Sequence, residues 1–466
     1  MNAIEHAIPI GGRGWVEAAS RPRWGIRELL LIAWAGIYPF HFYVGSSTDQ
    51  VNFSLGDAVV ALVGAGLFVG LLAGRSSLPG YTKAVFVFVL VTMASFLSPL
   101  LRSGSLPFSF DPTVGALAIA KFVGSALWMI ALYALLRPSP FDGIRTFSTV
   151  SIVAAGAFAV TTIHESLVLP GTRPSGPFEN ENLYANYLSL NLFLATMLAQ
   201  WSRDHGGRGV RLPTWLVVPI LLVGILATGS RGAIIGAAVT YPLAFRWRWP
   251  HRLSVKRIAA ILATLGLSGY GLVMFWQANS FIAGRVSGVL SGEGPNIDNR
   301  EDLWRAALDA FRASPLVGQG YGQFPQYAEG VRGLNPTVTH DTYLSVAAEL
   351  GLMGLLAFAW LLFVVIRDGV RTSRKPGMSS TRLLVLFVLA TLAQGLFADV
   401  EHYRSLWVAF AMLAALGTAA RAMGAPEASA REGLPTGDPQ ADGPSPSGVA
   451  PVPGFDHIRG RARTAP

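Results

Sequence analysis

The sequence contains no cysteine, and only 14% of its 466 residues are charged. The lack of cysteine excludes disulfides and thiolate metal sites. The scarcity of charge argues against an ordinary soluble protein, in which about 25% of residues are charged. The chain is also 52% hydrophobic, its mean hydropathy is +0.44, and long apolar runs recur along most of it. We therefore expect an all-α polytopic membrane protein.

A cleavable signal peptide is not expected. The first 28 residues are polar and contain four arginines, with no apolar core and small-residue cleavage site behind them. We assign 1–28 to the cytoplasm.

Twelve apolar segments are candidates to cross a bilayer, for which a helix needs about 20 residues. They lie near 29–45, 54–74, 82–101, 113–136, 146–167, 182–201, 213–228, 232–247, 257–277, 342–366, 382–399 and 404–421. The seventh and eighth are short and nearly touch at GSRG, so one broken re-entrant pair is an alternative. The chain thus divides into spans one to nine (29–277), a polar loop (278–341), spans ten to twelve (342–421) and a tail (422–466) that we expect to be disordered.

The basic residues predict the orientation of these spans. If both ends are cytoplasmic, inner segments carry 26 of the 36 Lys and Arg residues, outer segments carry nine, and Lys121 lies within a span. This asymmetry follows the positive-inside rule and places 278–341 in the periplasm. It also accounts for the net charge of +9 without a nucleic-acid partner. Lys121 is expected to snorkel or to pair internally.

The polar loop carries a predicted amphipathic helix that begins after Asn299, a good N-cap residue. Its apolar stripe consists of Leu303, Trp304, Ala307, Leu308 and Phe311. Arg300 stands at the positive end of the helix dipole, where a cation is mildly unfavourable. It is either a solvated arginine paired with an acid or a residue turned toward a bound anion.

Two further arginines lie on the predicted outer face. Arg231 follows Ser230, which is able to cap the eighth span, so free N–H groups and an arginine would together form an anion site. The alternative is an interfacial turn with a snorkelling arginine. Arg173 lies in GTRPSGPFENENLYANY, where Asn182 and Asn186 share a helical face. Side-chain amides suit sugar hydroxyls, but they also join membrane helices.

The run THDTYLSVAAELGLMGLLAF places His340 at the outer mouth of the tenth span. A histidine with a pKa near 6.5 is suited to act as a base at neutral pH. Asp341 would point about 100° away on a helix and is a poor triad partner. Glu349 lies roughly 13 Å deeper by helical rise, where an acid marks a polar interior. The alternatives are an interfacial histidine bonded to a loop and a structural pairing role for the glutamate.

A second outer cluster, DVEHYR at 399–404, contains His402, which would contact an acceptor or belong to an ordinary polar turn. The outer Asp, Glu and His residues lack convincing metal-ligand spacing such as HExxH. We therefore predict no metal and no cofactor.

Together these stretches resemble the O-antigen ligase and O-antigen polymerase superfamily of bacterial glycan-assembly enzymes. The resemblance covers roughly 170–420 and rests on TGSRGAIIGA, NREDLWRAALDAFRASPLVGQGYGQF, HDTYLSVAAELGLMGLLAF and GPFENENLYANYLSL. Their order and spacing carry the likeness more than any single motif does. One departure is HD at 340–341, where many relatives have HN, which leaves the role of Asp341 open.

The resemblance implies a GT-C-like, metal-independent glycosyltransferase in the bacterial inner membrane. Its donor would be a glycan on undecaprenyl pyrophosphate, and its acceptor a hydroxyl of lipid A-core (ligase) or of another lipid-linked repeat (polymerase). The essential arginines and histidine of the family map onto Arg231, Arg300 and His340. Competing classes are a transporter of the same lipid-linked glycan, which would place ionisable groups near the bilayer midplane, and a non-catalytic membrane assembly subunit.

Overall fold

A computed structural model describes residues 25–39, 80–101, 106–169, 174–178, 180–204, 214–246, 297–335 and 337–432, with a few isolated positions between 62 and 73. The predicted span near 257–277 and the candidate Arg173 lie outside the described residues, as does nearly all of the span near 54–74. Residues 1–422 form one compact unit, and the described part of a second unit (423–466) is the helical stretch 423–432.

The described residues form thirteen α-helices and no β-strand, which confirms the all-α prediction. The helices are α1 (Ile26–Ile37), α2 (Thr82–Leu101), α3 (Pro112–Leu136), α4 (Pro140–Val168), α5 (Glu181–Asp204), α6 (Thr214–Ala227), α7 (Arg231–Thr240), α8 (Leu243–Arg246), α9 (Ile297–Ala313), α10 (Phe324–Arg332), α11 (Thr342–Ser373), α12 (Arg382–Gln394) and α13 (Arg404–Glu432). Short 3-10 turns lie at Gly176–Phe178 and Ser379–Thr381.

Five of the described helices are long and apolar enough to cross a membrane: α2, α3, α4, α11 and the Arg404–Met423 part of α13. Shorter apolar helices occupy Leu216–Ala227, Arg231–Thr240 and Ser379–Gln394. These helices indicate an integral membrane protein. The count of twelve spans and the periplasmic side of the polar loop stay predictions.

The observed helices differ from the predicted spans mainly in the residues at which they begin and end. Helices α2 and α3 match within one residue, whereas α11 continues to Ser373 and α12 stops at Gln394. Helix α9 begins at Ile297, so Asn299 lies inside its first turn instead of capping it. Of the predicted α9 stripe, Leu303 and Ala307 are buried against α10, but Leu308 is exposed.

Helices α7 and α12 pack closely because small residues line their interface. A Cβ atom on Gly236 would lie 2.4 Å from the carbonyl oxygen of Ala390, and one on Gly232 would lie 3.0 Å from Cγ of Gln394. Small residues four apart let membrane helices approach in this way. The contact fixes the start of α7, which carries Arg231, against the end of α12.

Helix α11 is interrupted at Gly351, which has a φ of 64° and a ψ of −160°. The loop 314–323 fills the gap. The N–H groups of Gln319 and Gly320 donate to the carbonyl oxygens of Ala348 and Glu349 at 2.9 and 3.0 Å. Beyond the break, the N–H of Leu352 donates to the carbonyl of Pro315 at 2.8 Å, and that of Met353 donates to the carbonyl of Leu316 at 3.2 Å. The polar loop therefore supplies hydrogen bonds that an apolar environment would not.

The break also explains why an acidic residue, Glu349, lies inside an apolar helix, a question that the sequence leaves open. Its buried carboxylate accepts the backbone N–H of Phe324 at 3.2 Å, where α10 begins, and that of Gly322. A Cβ atom on Gly318 would lie 2.2 Å from the backbone of Glu349, so only glycine permits this approach. Glu349 thus joins the polar loop to α11, which corresponds to the structural alternative.

Several helix ends meet at one end of the bundle. The N–H of Thr342, at the start of α11, donates to the carbonyl of Gly395, just after α12, at 2.8 Å. Ser230, before α7, donates to the side chain of Asn182 at the start of α5. These bonds place the start of α11 beside the end of α12 and the residue before α7 beside the start of α5.

Candidate active site

His340 lies in the turn that leads into α11 and has a φ of 54°. No other non-glycine residue in the described parts of the chain has a positive φ. Such a conformation is uncommon for a residue with a Cβ atom and often marks a functional position. Its side chain is half-buried, whereas Thr339 before it is fully buried.

Asp341 caps α11. Its side chain accepts the N–H groups of Tyr343 and Leu344, both at 2.9 Å, as an N-cap carboxylate does. Burial raises the pKa of Asp341, and these two hydrogen bonds oppose that effect. Because the cap uses the side-chain oxygen Oδ1, an asparagine would perform the same task. The HD departure from the family pattern is therefore compatible with a conserved backbone geometry.

Arg300 lies in the first turn of α9 and is close enough to His340 to affect the pKa of the imidazole. Its guanidinium Nη1 lies 3.4 Å from the carbonyl oxygen of Phe397, in the loop between α12 and α13. Burial and the positive charge of Arg300 lower the pKa of His340 to about 4, while the negative charge of Glu181 acts in the opposite direction. The imidazole is therefore neutral at pH 7 and carries a lone pair that is able to accept a proton.

Arg231 opens α7 and is half-buried. Its Nε is buried and has no hydrogen-bond partner among the described residues. The sequence suggested that Ser230 caps α7 with its hydroxyl, but the structure shows no such cap, and the hydroxyl donates to Asn182 Oδ1 at 2.7 Å. The helix start and its arginine therefore retain donors suited to an anion.

Asn182 and Asn186 join helices. Asn186 is buried and donates to Thr391 Oγ1 at 3.0 Å and to Gln394 Oε1 at 2.9 Å. The side chain of Gln394 in turn donates to the backbone carbonyl of Asn182 at 3.1 Å. These bonds favour the helix-packing alternative for both asparagines and tie α5 and α7 to the end of α12.

His402 lies apart from these contacts. Its half-buried imidazole Nδ1 is 3.5 Å from Glu401 Oε1, and its ring meets Tyr403 edge-on at 5.4 Å. It belongs to the same loop that Arg300 touches, but no interaction with His340 is described for it. Of the predicted residues, Arg300 lies near enough to His340 for its charge to lower the pKa of the imidazole, and Arg231 is connected to α5 through the neighbouring Ser230.

The sequence interpretation missed Glu181, the first residue of α5, although it lies close enough to His340 to affect its pKa. The adjacent Asn182 contacts Ser230, and Leu183 packs against Val400 and Tyr403. The only sequence signal was its position in the first turn of a helix, where acids are common for dipole reasons alone. The long-range approach to His340 has no local signature.

The fold and the site define a helical integral membrane protein with two arginines and a histidine at one end of its bundle. Residues 216–359 match the protein family described as O-antigen ligase. This match confirms the predicted resemblance and supports membership of the O-antigen ligase and polymerase superfamily. It includes Arg231, Arg300 and His340. No curated protein matches the chain.

Proposed function

We propose that the protein is an inverting glycosyltransferase of the O-antigen ligase type. It would move a glycan from undecaprenyl pyrophosphate to a sugar hydroxyl at the periplasmic face of the inner membrane. Family membership supports glycan processing of the ligase or polymerase type in general. The observation that carries the finer proposal is the position of His340, which has a positive φ in the turn before α11 and lies within the electrostatic influence of Arg300.

The proposed chemistry assigns one task to each residue. The acceptor hydroxyl oxygen attacks the anomeric carbon from the side opposite the pyrophosphate, which inverts that centre. The bond between the anomeric carbon and the pyrophosphate oxygen breaks, and its electron pair leaves with undecaprenyl pyrophosphate. Arg231 and Arg300 stabilise the developing charge, and His340 accepts the hydroxyl proton. Arg173 is a further proposed pyrophosphate ligand, and His402 a proposed acceptor contact.

Donor binding would also adjust the base. A base works best when its pKa is near the operating pH, and a pKa of about 4 for His340 is low for that purpose. The pyrophosphate would offset the positive charge of Arg300, which is one of the causes of the low value. The pKa of His340 should therefore rise when the donor binds.

The acceptor is either lipid A-core or a second lipid-linked repeat. The first makes the protein a ligase, and the second makes it an O-antigen or exopolysaccharide polymerase. Both use the same donor and the same attack, so the residues assigned above serve either reaction. Membrane lipids surround the apolar helices in either case.

The competing transporter hypothesis predicts broken helices that open onto a substrate near the midplane. Helix α11 is broken at Gly351, but four backbone groups beside the break are hydrogen-bonded to the loop 314–323. Glu349 beside the break is bonded to Phe324. Groups that are already paired within the protein are less suited to bind a substrate, which favours the enzyme.

The direct test uses purified protein in lipid with an undecaprenyl pyrophosphate-linked glycan and a matching acceptor. We expect transfer in the presence of EDTA, because two arginines are available to neutralise the pyrophosphate. The product is detected as an acceptor whose mass has increased by that of the transferred glycan. Absence of transfer with every lipid A-core and repeat-unit acceptor would contradict the proposal. Loss on chelation that a divalent ion restores would contradict metal independence alone.

The predicted orientation can be tested by cysteine labelling, because the natural chain has no cysteine. Glu329 on α10 and Lys375 after α11 are both exposed and lie outside the spans. In cells with a permeabilised outer membrane, Glu329→Cys should react with an impermeant maleimide, and Lys375→Cys should react only after the inner membrane is opened. The unsubstituted chain is the blank. Labelling of Lys375→Cys in cells with an intact inner membrane would contradict the orientation.

A further inference from the structure

The loop 395–403, between α12 and α13, contacts Arg300 and the turn that carries His340. The carbonyl oxygen of Phe397 lies 3.4 Å from the guanidinium of Arg300. Two residues earlier, the carbonyl of Gly395 accepts the N–H of Thr342 at 2.8 Å. One loop therefore holds Arg300, which comes from α9, and the turn that carries His340, which precedes α11.

Thr342, two residues after His340, forms two more hydrogen bonds to this loop through its side chain. Its buried hydroxyl donates to the carbonyl of Ala398 at 2.7 Å and accepts the N–H of Val400 at 2.7 Å. A threonine hydroxyl inside a helix commonly bonds to the carbonyl one turn back. Here it instead joins a backbone donor and a backbone acceptor across 56 and 58 residues of sequence.

Thr339, directly before His340, makes the matching contact on the other side. Its hydroxyl lies 2.7 Å from the carbonyl oxygen of Asp341 and 3.1 Å from Asp399 Oδ1, and it accepts the N–H of Asp341 at 3.1 Å. Thr339 is fully buried, so its hydroxyl does not face an incoming substrate. The two threonines thus fix the backbone on both sides of a histidine in an uncommon conformation.

We propose that Thr339 and Thr342 are positioning residues that, through the loop 395–403, hold His340 in register with Arg300 for proton transfer. This inference rests on the proposed function. Neither hydroxyl touches the reacting atoms. Each acts by keeping the imidazole beside the position that the acceptor hydroxyl must occupy. A displacement of a catalytic group by about 1 Å lowers the rate by on the order of 10²-fold.

The test compares threonine with valine, which keeps the shape and removes the hydroxyl, and with serine, which keeps the hydroxyl. Thr339→Val should lower kcat for glycan transfer by about 10²-fold while KM for the lipid-linked donor changes little. Thr339→Ser should restore most of kcat. Thr342→Val and Thr342→Ser form a second pair with the same expected order. The matched control is Thr92→Val, because Thr92 is buried and, in the part of the chain that the structure describes, its hydroxyl bonds within its own helix, to the carbonyl of Phe88.

A second comparison shows whether Thr339 acts through His340. In a His340→Ala background, Thr339→Val should have no further effect on the rate. If His340→Ala abolishes transfer and both valine variants retain it, the positioning role is wrong and the proposed function stands. If both valine variants lower the rate as much without the imidazole, their role is independent of His340 and the inference is overturned. If His340→Ala itself transfers normally, His340 is not the base and the positioning inference is overturned with that role, whereas the proposed glycan transfer stands. Thermal unfolding of every variant identifies a rate that falls only because the protein is less stable.

Discussion

His340→Ala is expected to lower the rate of glycan transfer by about 10²- to 10⁴-fold, the usual loss when a general base is removed. Affinity for undecaprenyl pyrophosphate should be preserved, because Arg231 and Arg300 remain. The loss should appear in kcat more than in KM. Transfer rate and lipid-pyrophosphate binding are to be measured on the same purified sample in lipid.

The control for this substitution is His164→Ala, because His164 is exposed on α4. It should transfer at close to the natural rate. A His340→Ala protein that is correctly folded and transfers normally would eliminate His340 as the base, and His402 would be the next residue to test. A purely structural histidine would instead lower thermal stability while activity per folded molecule is kept.

The rate of the same reaction should vary with pH as the imidazole of His340 gains or loses its proton. A histidine with a pKa of 6.5 is only about one-tenth neutral at pH 5.5, but burial and Arg300 lower the pKa of His340 to about 4. The neutral base therefore persists as the pH falls, and kcat/KM should hold down to pH 5.5 and decline only near pH 4. In the donor complex the pyrophosphate raises the pKa, so the acid limb of kcat should lie at higher pH than that of kcat/KM.

Hydropathy predicted the all-α class and the bounds of α2 and α3 to within one residue, but it did not predict the break in α11. The apolar segment around Gly351 has no proline and no charge except Glu349, and it reads as a continuous span. The break depends on carbonyl and N–H partners in the loop 314–323, which lies about 30 residues earlier in the chain. The hydrophobic periodicity of one segment carries no information about hydrogen-bond partners from another segment.

The same limit applies to the site. The three ionisable residues Arg231, Arg300 and His340 stand out in sequence because ionisable side chains are unusual beside apolar helices. Thr339 and Thr342 do not, because threonine near a helix start is common and usually a local cap. Their hydroxyls contact residues 395–403, and only the fold brings those residues close. Asn182 and Asn186 suggested sugar recognition equally well until their partners on α7 and α12 were known.

Arg231→Lys and Arg300→Lys should each lower kcat by about 10²- to 10³-fold although the positive charge is kept, as when one preorganised donor to a developing anion is lost. A pyrophosphate is bound through several donors in a planar fork, whereas lysine offers a single compact charge. At Arg231 the unpartnered Nε is one of the donors that lysine lacks. Both arginines lie in the first turn of a helix, where the dipole favours an anion and disfavours the cation alone.

Arg305→Lys is the matched control, because Arg305 lies on the same helix as Arg300, is exposed and, among the described residues, forms ion pairs with two acids of its own helix, Glu301 and Asp302. It should transfer at near the natural rate, since exposed pairs of this kind contribute little. A pyrophosphate role requires that Arg231→Lys and Arg300→Lys weaken binding of undecaprenyl pyrophosphate as well as transfer. If both lysine variants bind and transfer as the natural protein does, charge alone is sufficient and the forked recognition is wrong. If the two lysine variants lose thermal stability but keep activity per folded molecule, the arginines stabilise the helical bundle. The leaving group must then be stabilised by other residues.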